Sequence, residues 1–214
     1  MTPYQYCYQN PVRFIDPTGM EGESVDDDIT VNNKGIVSKV VKNDKPNRFY
    51  DEKGNELKFN DTQEVDKSKL TNNYSVGEQL YYPVSRAELD KVVKGVSLNS
   101  GIKLSKYMAP LSVSKYVLVA LASHTGADFT MGYLAERKDI YNVFIEETIY
   151  NYRFEGSNKI YNLFDAGNFM WGAWTEEIGL FDFEVKGGSN LNEFYNFGDS
   201  EADQRAIFDG RKYY

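Results

Sequence analysis

The rhythm of hydrophobic and polar positions changes several times along the chain. Between residues 30 and 60, short apolar runs are broken by Asn-Asn-Lys-Gly at 32–35 and Asp-Glu-Lys-Gly-Asn at 51–55. Those polar tetrads and pentads are hairpin turn signals, and they separate β-type runs at Ile36–Val41, Arg48–Tyr50 and Glu56–Phe59. From Ser85 the spacing lengthens. Ser85-Arg-Ala-Glu88 forms a capping box ahead of Leu89, Val92, Val93 and Val96, which share one helix face. A second helix is expected over Ser112–Ser123, and Asp128 opens a third toward Leu134. Ile140–Phe154 mixes both periods and reads equally as helix or strand. Beyond residue 151, glycines at 156, 167, 172, 187, 188 and 198 fall between aromatics, and Gly167-Asn168 reads as a turn. The last helix is capped by Asp199 or Ser200, with Ala206 and Ile207 on one face. The expected fold class is α+β: an N-terminal β-hairpin region over 21–84, followed by a mainly helical core over 85–214.

Composition narrows this picture. The 214 residues are 41% hydrophobic and 15% aromatic, with 17 Tyr and 13 Phe, which suits one large domain or a domain plus an arm. Acidic residues outnumber basic ones 32 to 24, for a net charge of -8. A non-specific nucleic-acid coat protein is therefore disfavoured, because phosphate affinity rests on Lys and Arg. With one Cys and one His, the chain has no internal disulfide, no Cys/His zinc site of its own and no two-histidine acid/base pair. No metal and no cofactor are expected. The longest apolar run, Tyr116–Ala122, is far shorter than the ~20 residues of a membrane span. Met1-Thr-Pro-Tyr-Gln5 is neither basic nor followed by an apolar stretch, so an exported form is expected to travel as cargo.

Residues 1 to about 22 hold three of the six prolines and read as extended backbone. Within them, Tyr4-Gln-Tyr6 and Asn10-Pro-Val-Arg-Phe-Ile-Asp16-Pro17-Thr-Gly19-Met20 resemble the segment that closes the core of Rhs/YD-repeat proteins. In residue terms, Asp16-Pro17 sets a turn, Gly19 permits positive φ, and Phe14 and Ile15 can seal against a β-shell. The resemblance implies self-cleavage near Met20-Glu21, with Asp16 contributing a carboxyl. It further implies that residues 1–20 end the Rhs core and that residues 21–214 are a released effector. Such effectors are loaded on contractile secretion systems, delivered into rival bacteria, and neutralised in the producer by a cognate immunity protein. The remaining partner implied is the Rhs core shell of the precursor. An acidic effector calls for an immunity protein with a basic complementary patch.

A second resemblance lies near the other end. Phe164-Asp165-Ala-Gly167-Asn168-Phe169-Met-Trp171-Gly172-Ala173 is similar to the Gly-Asn-Phe-x-Tyr-Gly-Ala signature of the bacterial toxin type 44 family. Tyr150-Asn-Tyr152-Arg153 stands where that family has a Trp-Asp-x-Lys-like element, and Asp199-Ser-Glu-Ala-Asp203-Gln-Arg-Ala-Ile207-Phe-Asp-Gly210 resembles its tail. Asn151 replaces the family's acid and Trp171 its Tyr. The residues themselves suggest roles. Asp165 ahead of a Gly-Asn turn can present a carboxylate beside backbone N–H groups, and Arg153 offers a fork for phosphate. Asn168, Asp199 and Asp203 complete the candidate catalytic set, Asp199 doubling as a helix cap. Tyr152, Trp171 and Trp174 are candidate substrate-binding residues, the two Trp rings as a stacking floor. Glu176, Glu177, Asp182 and Glu184 read as a solvated face. His124 is either a satisfied helix-end histidine or a general base.

Three functions follow as expectations. The type 44 resemblance implies a toxin that cleaves RNA. Paired carboxylates and exposed aromatics equally suit a peptidoglycan hydrolase acting in the victim's periplasm. A non-enzymatic adhesive tip is the third. Residues 101–214 carry 11 basic and 16 acidic residues, so the helical half is no basic island.

Overall fold

The computed structural model describes residues 14–15, 23–24, 26–43, 46–61, 73–99, 112–135, 150–192 and 200–214. The fold is α+β, with strands filling the first part and helices dominating the second. The chain divides into two compact units, Met1–Pro83 and Val84–Tyr214.

In the first unit, β1 (Phe14–Ile15) and β2 (Glu23–Ser24) pair antiparallel, Phe14 opposite Ser24. Asp16, Pro17, Gly19 and Met20 lie between them, outside the described residues. β3 (Asp26–Val31), β4 (Val37–Asn43), β5 (Arg48–Asp51) and β6 (Glu56–Phe59) follow in the spatial order β4-β3-β5-β6. The β3–β4 and β5–β6 pairs are antiparallel, and β3–β5 is parallel. Both hairpin turns form where the polar signals stand, and by the same chemistry. Asn32 Oδ1 accepts from the Lys34 and Ile36 amides at 2.9 and 3.0 Å. Asp51 Oδ1 accepts from the Lys53 and Asn55 amides, both at 2.9 Å. Three residues after each of these, a glycine takes positive φ, 78° at Gly35 and 81° at Gly54, a region that costs an L side chain about 1–2 kcal/mol. Alternation then does the rest. Ile29 and Val31 turn inward with Val37, Phe49, Leu57 and Phe59, all buried, and Phe49 meets Phe59 edge-on at 5.4 Å. Where β3 and β5 run side by side, Arg48 forks onto Asp28 with two 2.8 Å bonds.

β7 (Tyr82–Val84) runs across the boundary between the units, and the second unit continues with α1 (Arg86–Asn99), whose cap is Ser85: its Oγ accepts from the Glu88 amide at 3.1 Å. Ser112 caps α2 (Val113–Thr125). Asp128 opens a π-helical turn, Thr130–Ala135, in place of the expected ordinary helix. The ambiguous stretch ends as strand: β8 (Asn151–Phe154) pairs antiparallel with β9 (Lys159–Asn162), Tyr152 opposite Tyr161. Residues 136–149 lie outside the described set. Three helices follow, α3 (Leu163–Glu177), α4 (Asp182–Asn192) and α5 (Glu201–Tyr213).

α3 is the axis of this unit, and Gly167-Asn168 falls inside it rather than in a turn. The reason is tertiary. A Cβ on Gly172 would stand 2.0 Å from Ile207 O, and one on Gly210 would stand 1.9 Å from Phe169 O. The glycines are there so that the α3 and α5 backbones can approach. Ala166, Phe169, Met170, Ala173 and Trp174 are buried around this crossing with Ala202, Ala206 and Ile207 of α5. Phe169 stacks on Phe154 of β8, centroids 3.8 Å apart and 13° from parallel, which seats the hairpin on the helix. Glu184 departs from the expected solvated face. It is buried and pairs with Lys115 at 2.8 Å, joining α4 to α2, while accepting from the Phe181 amide at 3.0 Å. Among the described residues, no helix is long and apolar enough to cross a membrane.

Candidate functional site

The sequence-predicted site residues gather on α3, α5 and the β8–β9 hairpin. Asp165 sits in the first turn of α3, where Asn162 caps the helix: Asn162 Oδ1 accepts from the Asp165 amide at 2.8 Å. A carboxylate here is favoured by the helix N-terminus. Its side chain is only 2% exposed, so a large substrate does not reach it in this conformation. Asn168 and Asp203 do meet, the Asn168 amide donating to Asp203 Oδ1 at 2.8 Å. Asp203 Oδ2 accepts from the Ser200 amide at 3.0 Å, and the Asp203 amide donates to Ser200 Oγ, a reciprocal capping box at the start of α5. Both carboxylate oxygens of Asp203 are thus engaged, Oδ1 in fastening α5 to α3 and Oδ2 in capping α5 itself. The cap is Ser200; Asp199 lies outside the described residues.

The expected aromatic floor does not form. Trp174 is fully buried, which leaves no ring face for a base or sugar. Trp171 is half-buried, its Nε1 donating to Ser123 Oγ at 2.9 Å, and its ring is tilted 51° from that of Trp174. Tyr152 is likewise core, 0% exposed, with its hydroxyl donating to Leu134 O at 3.0 Å. Helical and strand periodicity placed these rings on the inward face, and only the tertiary packing tells a core ring from a platform. Arg153 is half-buried and spends its Nε on Ser157 O at 2.7 Å, closing the β8–β9 turn. His124 falls within α2, and its side chain is outside the description.

Close to Arg153, the structure assembles a cluster that the sequence reading passed over. Lys159 and Tyr161, two apart on β9, reach the same oxygen of Asp209 on α5. The Lys159 ammonium pairs with Asp209 Oδ2, and the Tyr161 hydroxyl donates to that oxygen at 3.1 Å. Ser157 Oγ accepts from the Lys159 amide, linking the cluster to the turn that Arg153 closes. Tyr161 is 1% exposed. Burial first, and then the Asp209 charge, push its phenol far above its ordinary value, so it stays protonated and keeps donating. Lys159 and Asp209 are open, with 33% and 27% of their side chains exposed. Asp209 Oδ1 takes no hydrogen bond from the described residues. The signal was present in part: Lys159-x-Tyr161 alternates as a strand beyond a Glu155-Gly156 turn. That Asp209 faces them is set by the α3–α5 crossing, which no local pattern encodes.

Among the described residues, no group of three His, Cys, Asp or Glu side chains is placed to hold a metal ion. No family model, no curated protein and no solved structure matches the chain. The Rhs and type 44 resemblances rest on the motifs quoted for them.

Proposed function

We propose that this chain is the toxin-bearing end of an Rhs/YD-repeat protein, a hydrolase delivered by a contractile secretion system into competitor bacteria, with RNA as its substrate. The observation that carries the reading is Asn10-Pro-Val-Arg-Phe-Ile-Asp-Pro-Thr-Gly-Met20, dense in spacing and lying within the first unit, upstream of strands β3–β6 and of the helical unit. In this reading Asp16, Pro17, Gly19 and Met20 form the release motif, and a cognate immunity protein with a basic face protects the producer.

RNA is favoured over peptidoglycan by the state of the carboxylates. Glycan cleavage asks for two carboxyl groups flanking the scissile bond. Asp165 is shut away and Asp203 is spent on Asn168 and Ser200, so that pair does not serve. Lys159 on β9 instead offers a partly exposed cation, and phosphate can be held by local positive charge even on an acidic body.

The test is expression of the full chain in a bacterium, with and without a periplasmic signal, followed by incubation of purified protein with total RNA and with sacculi. Growth arrest by the cytoplasmic form and degraded RNA are expected. Lysis limited to the exported form transfers the activity to the cell wall, and absence of toxicity from both forms supports an adhesive tip.

A further inference from the structure

We infer that the Lys159–Tyr161–Asp209 cluster is the reaction centre, acting on a phosphodiester that has a neighbouring ribose hydroxyl; this rests on the RNA reading above. Several other strong ion pairs of the second unit are closed or saturated. Lys115 and Glu184 are sealed in the interior at 3% and 1% exposure. Arg211 is spent on Asp182, Glu176, Thr175 and the Leu180 carbonyl. At Lys159 and Asp209, by contrast, a cation and a carboxylate lie side by side, both reachable from solvent and both with bonding capacity left. The ammonium has two further N–H donors beyond its Asp209 contact, and Asp209 Oδ1 accepts from none of the described residues. The buried hydroxyl of Tyr161 pins Oδ2 from below, which fixes the direction of Oδ1.

A ligand that matches this pair brings a proton to give and negative charge to be held, within a few ångströms of each other. A ribose 2′-hydroxyl beside its 3′-phosphate meets both conditions. In the step, Asp209 Oδ1 takes the 2′-hydroxyl proton as the 2′-oxygen bonds to phosphorus. The bond from phosphorus to the 5′-oxygen breaks, and that oxygen leaves with a proton from water. Lys159 stabilises the charge on the phosphorane oxygens, and Asp209 returns its proton to solvent. The products are a 2′,3′-cyclic phosphate and a 5′-hydroxyl, with no change of oxidation state. Tyr161 is a positioning residue: of the two reacting side chains, its hydroxyl bonds to Asp209.

The experiment uses the full chain, a fluorescent RNA oligonucleotide and the same oligonucleotide made entirely of DNA. The expected results are cleavage of RNA only, cyclic-phosphate ends by mass spectrometry, and a loss of at least about 100-fold in rate for Asp209→Asn and for Lys159→Met. Tyr161→Phe is expected to lower kcat about tenfold with KM unchanged, a split that a packing role alone does not produce. Lys159 stands at a third-exposed surface position, so its variant carries the test should Asp209→Asn fail to fold by circular dichroism. Folded variants that cut RNA at the wild-type rate overturn the site while leaving the RNA reading in place. Cleavage of the DNA strand, or 3′-phosphate ends formed without a cyclic product, overturns the chemistry. A wild-type chain that leaves RNA intact overturns the site and the RNA reading together.

Discussion

Glycine does opposite jobs at Gly54 of the first unit and at Gly172 and Gly210 of the second. In the first, Gly54 stands in a turn and is needed for its positive φ alone, since a Cβ there would meet nothing, whereas Gly35 combines positive φ with a close approach, a Cβ on it standing 1.8 Å from Tyr81 O. In the second, Gly172 and Gly210 sit inside helices with ordinary dihedrals, and a Cβ on either would strike backbone of the facing helix within 2.0 Å. Gly54 answers to its own chain neighbours, and Gly172 and Gly210 to residues 35 and 41 positions away. The contrast extends to charge. In the first unit Asp51 works on amides two and four residues on, whereas in the second Lys115 finds its partner 69 residues along. The turn at Gly54 is specified locally, the α3–α5 crossing and the Lys115–Glu184 pair by long-range fit.

The comparison breaks most visibly if the buried Lys115–Glu184 pair proves dispensable. Lys115→Met is expected to cost about 3–5 kcal/mol, because it removes the cation that faces the buried Glu184 carboxylate, and adding Glu184→Leu should recover most of that. Both tryptophans lie in α3, so their fluorescence during urea unfolding reports on the second unit directly. Next in size is Gly210→Ala. Alanine in a helix ordinarily gains about 1 kcal/mol over glycine. Here all three nearest atoms to the new Cβ are backbone, at 1.9, 2.8 and 3.1 Å, so α5 must move off α3. Overpacking of this kind costs about 1–3 kcal/mol, and a net destabilisation is expected on the same fluorescence trace. A stabilised variant would mean that the two helices do not cross so closely.

These magnitudes also explain what the sequence could show. The hairpin turns at 32–35 and 51–55, the cap at Ser85 and the Asp199-or-Ser200 cap of the last helix are each encoded within a few residues and were readable, as was the α+β division, whereas Ser112 was read as the helix's first residue and is its cap. Gly167-Asn168 was misread as a turn because glycine's commoner use is conformational. Nothing local distinguishes that use from a close helix crossing. Trp174 and Tyr152 were assigned to substrate for a related reason: an aromatic at a regular spacing marks a face, but which side of the face is covered depends on partners elsewhere. Asn168 and Asp203, both named as site residues from the sequence, stand 2.8 Å apart. The chemistry of that contact, a fastening with both carboxylate oxygens occupied, emerges only with Ser200 in place. Asp209 was invisible as a partner of Lys159 and Tyr161, being 48 residues or more from each.

On the local side of the comparison, Gly54→Ala is expected to cost about 1 kcal/mol through φ alone. Gly54→Asn should cost less, because asparagine tolerates the left-handed region. Faster hydrogen exchange at the Lys53 and Asn55 amides, with the tryptophan transition unmoved, is the signature of a purely local effect. A shift of that transition would show that the first unit's turns are not local after all.

The smallest expected change tests the boundary between fastening and function. Asn168→Ala removes the 2.8 Å hydrogen bond to Asp203 but leaves the Ser200–Asp203 capping box intact. One net hydrogen bond, partly exposed, is worth about 1 kcal/mol, and the freed Asp203 oxygen can turn to water because the residue is only half-buried. The expected outcome is therefore a slightly earlier fluorescence transition with RNA cleavage unchanged at temperatures where the protein stays folded. The two readouts separate cleanly. If cleavage falls by orders of magnitude while the transition stays put, Asn168 and Asp203 belong to the chemistry, and the reaction centre lies along the α3–α5 seam instead of on the hairpin. If only the transition moves, the type 44-like motif in α3 is explained by long-range packing, as its glycines already are.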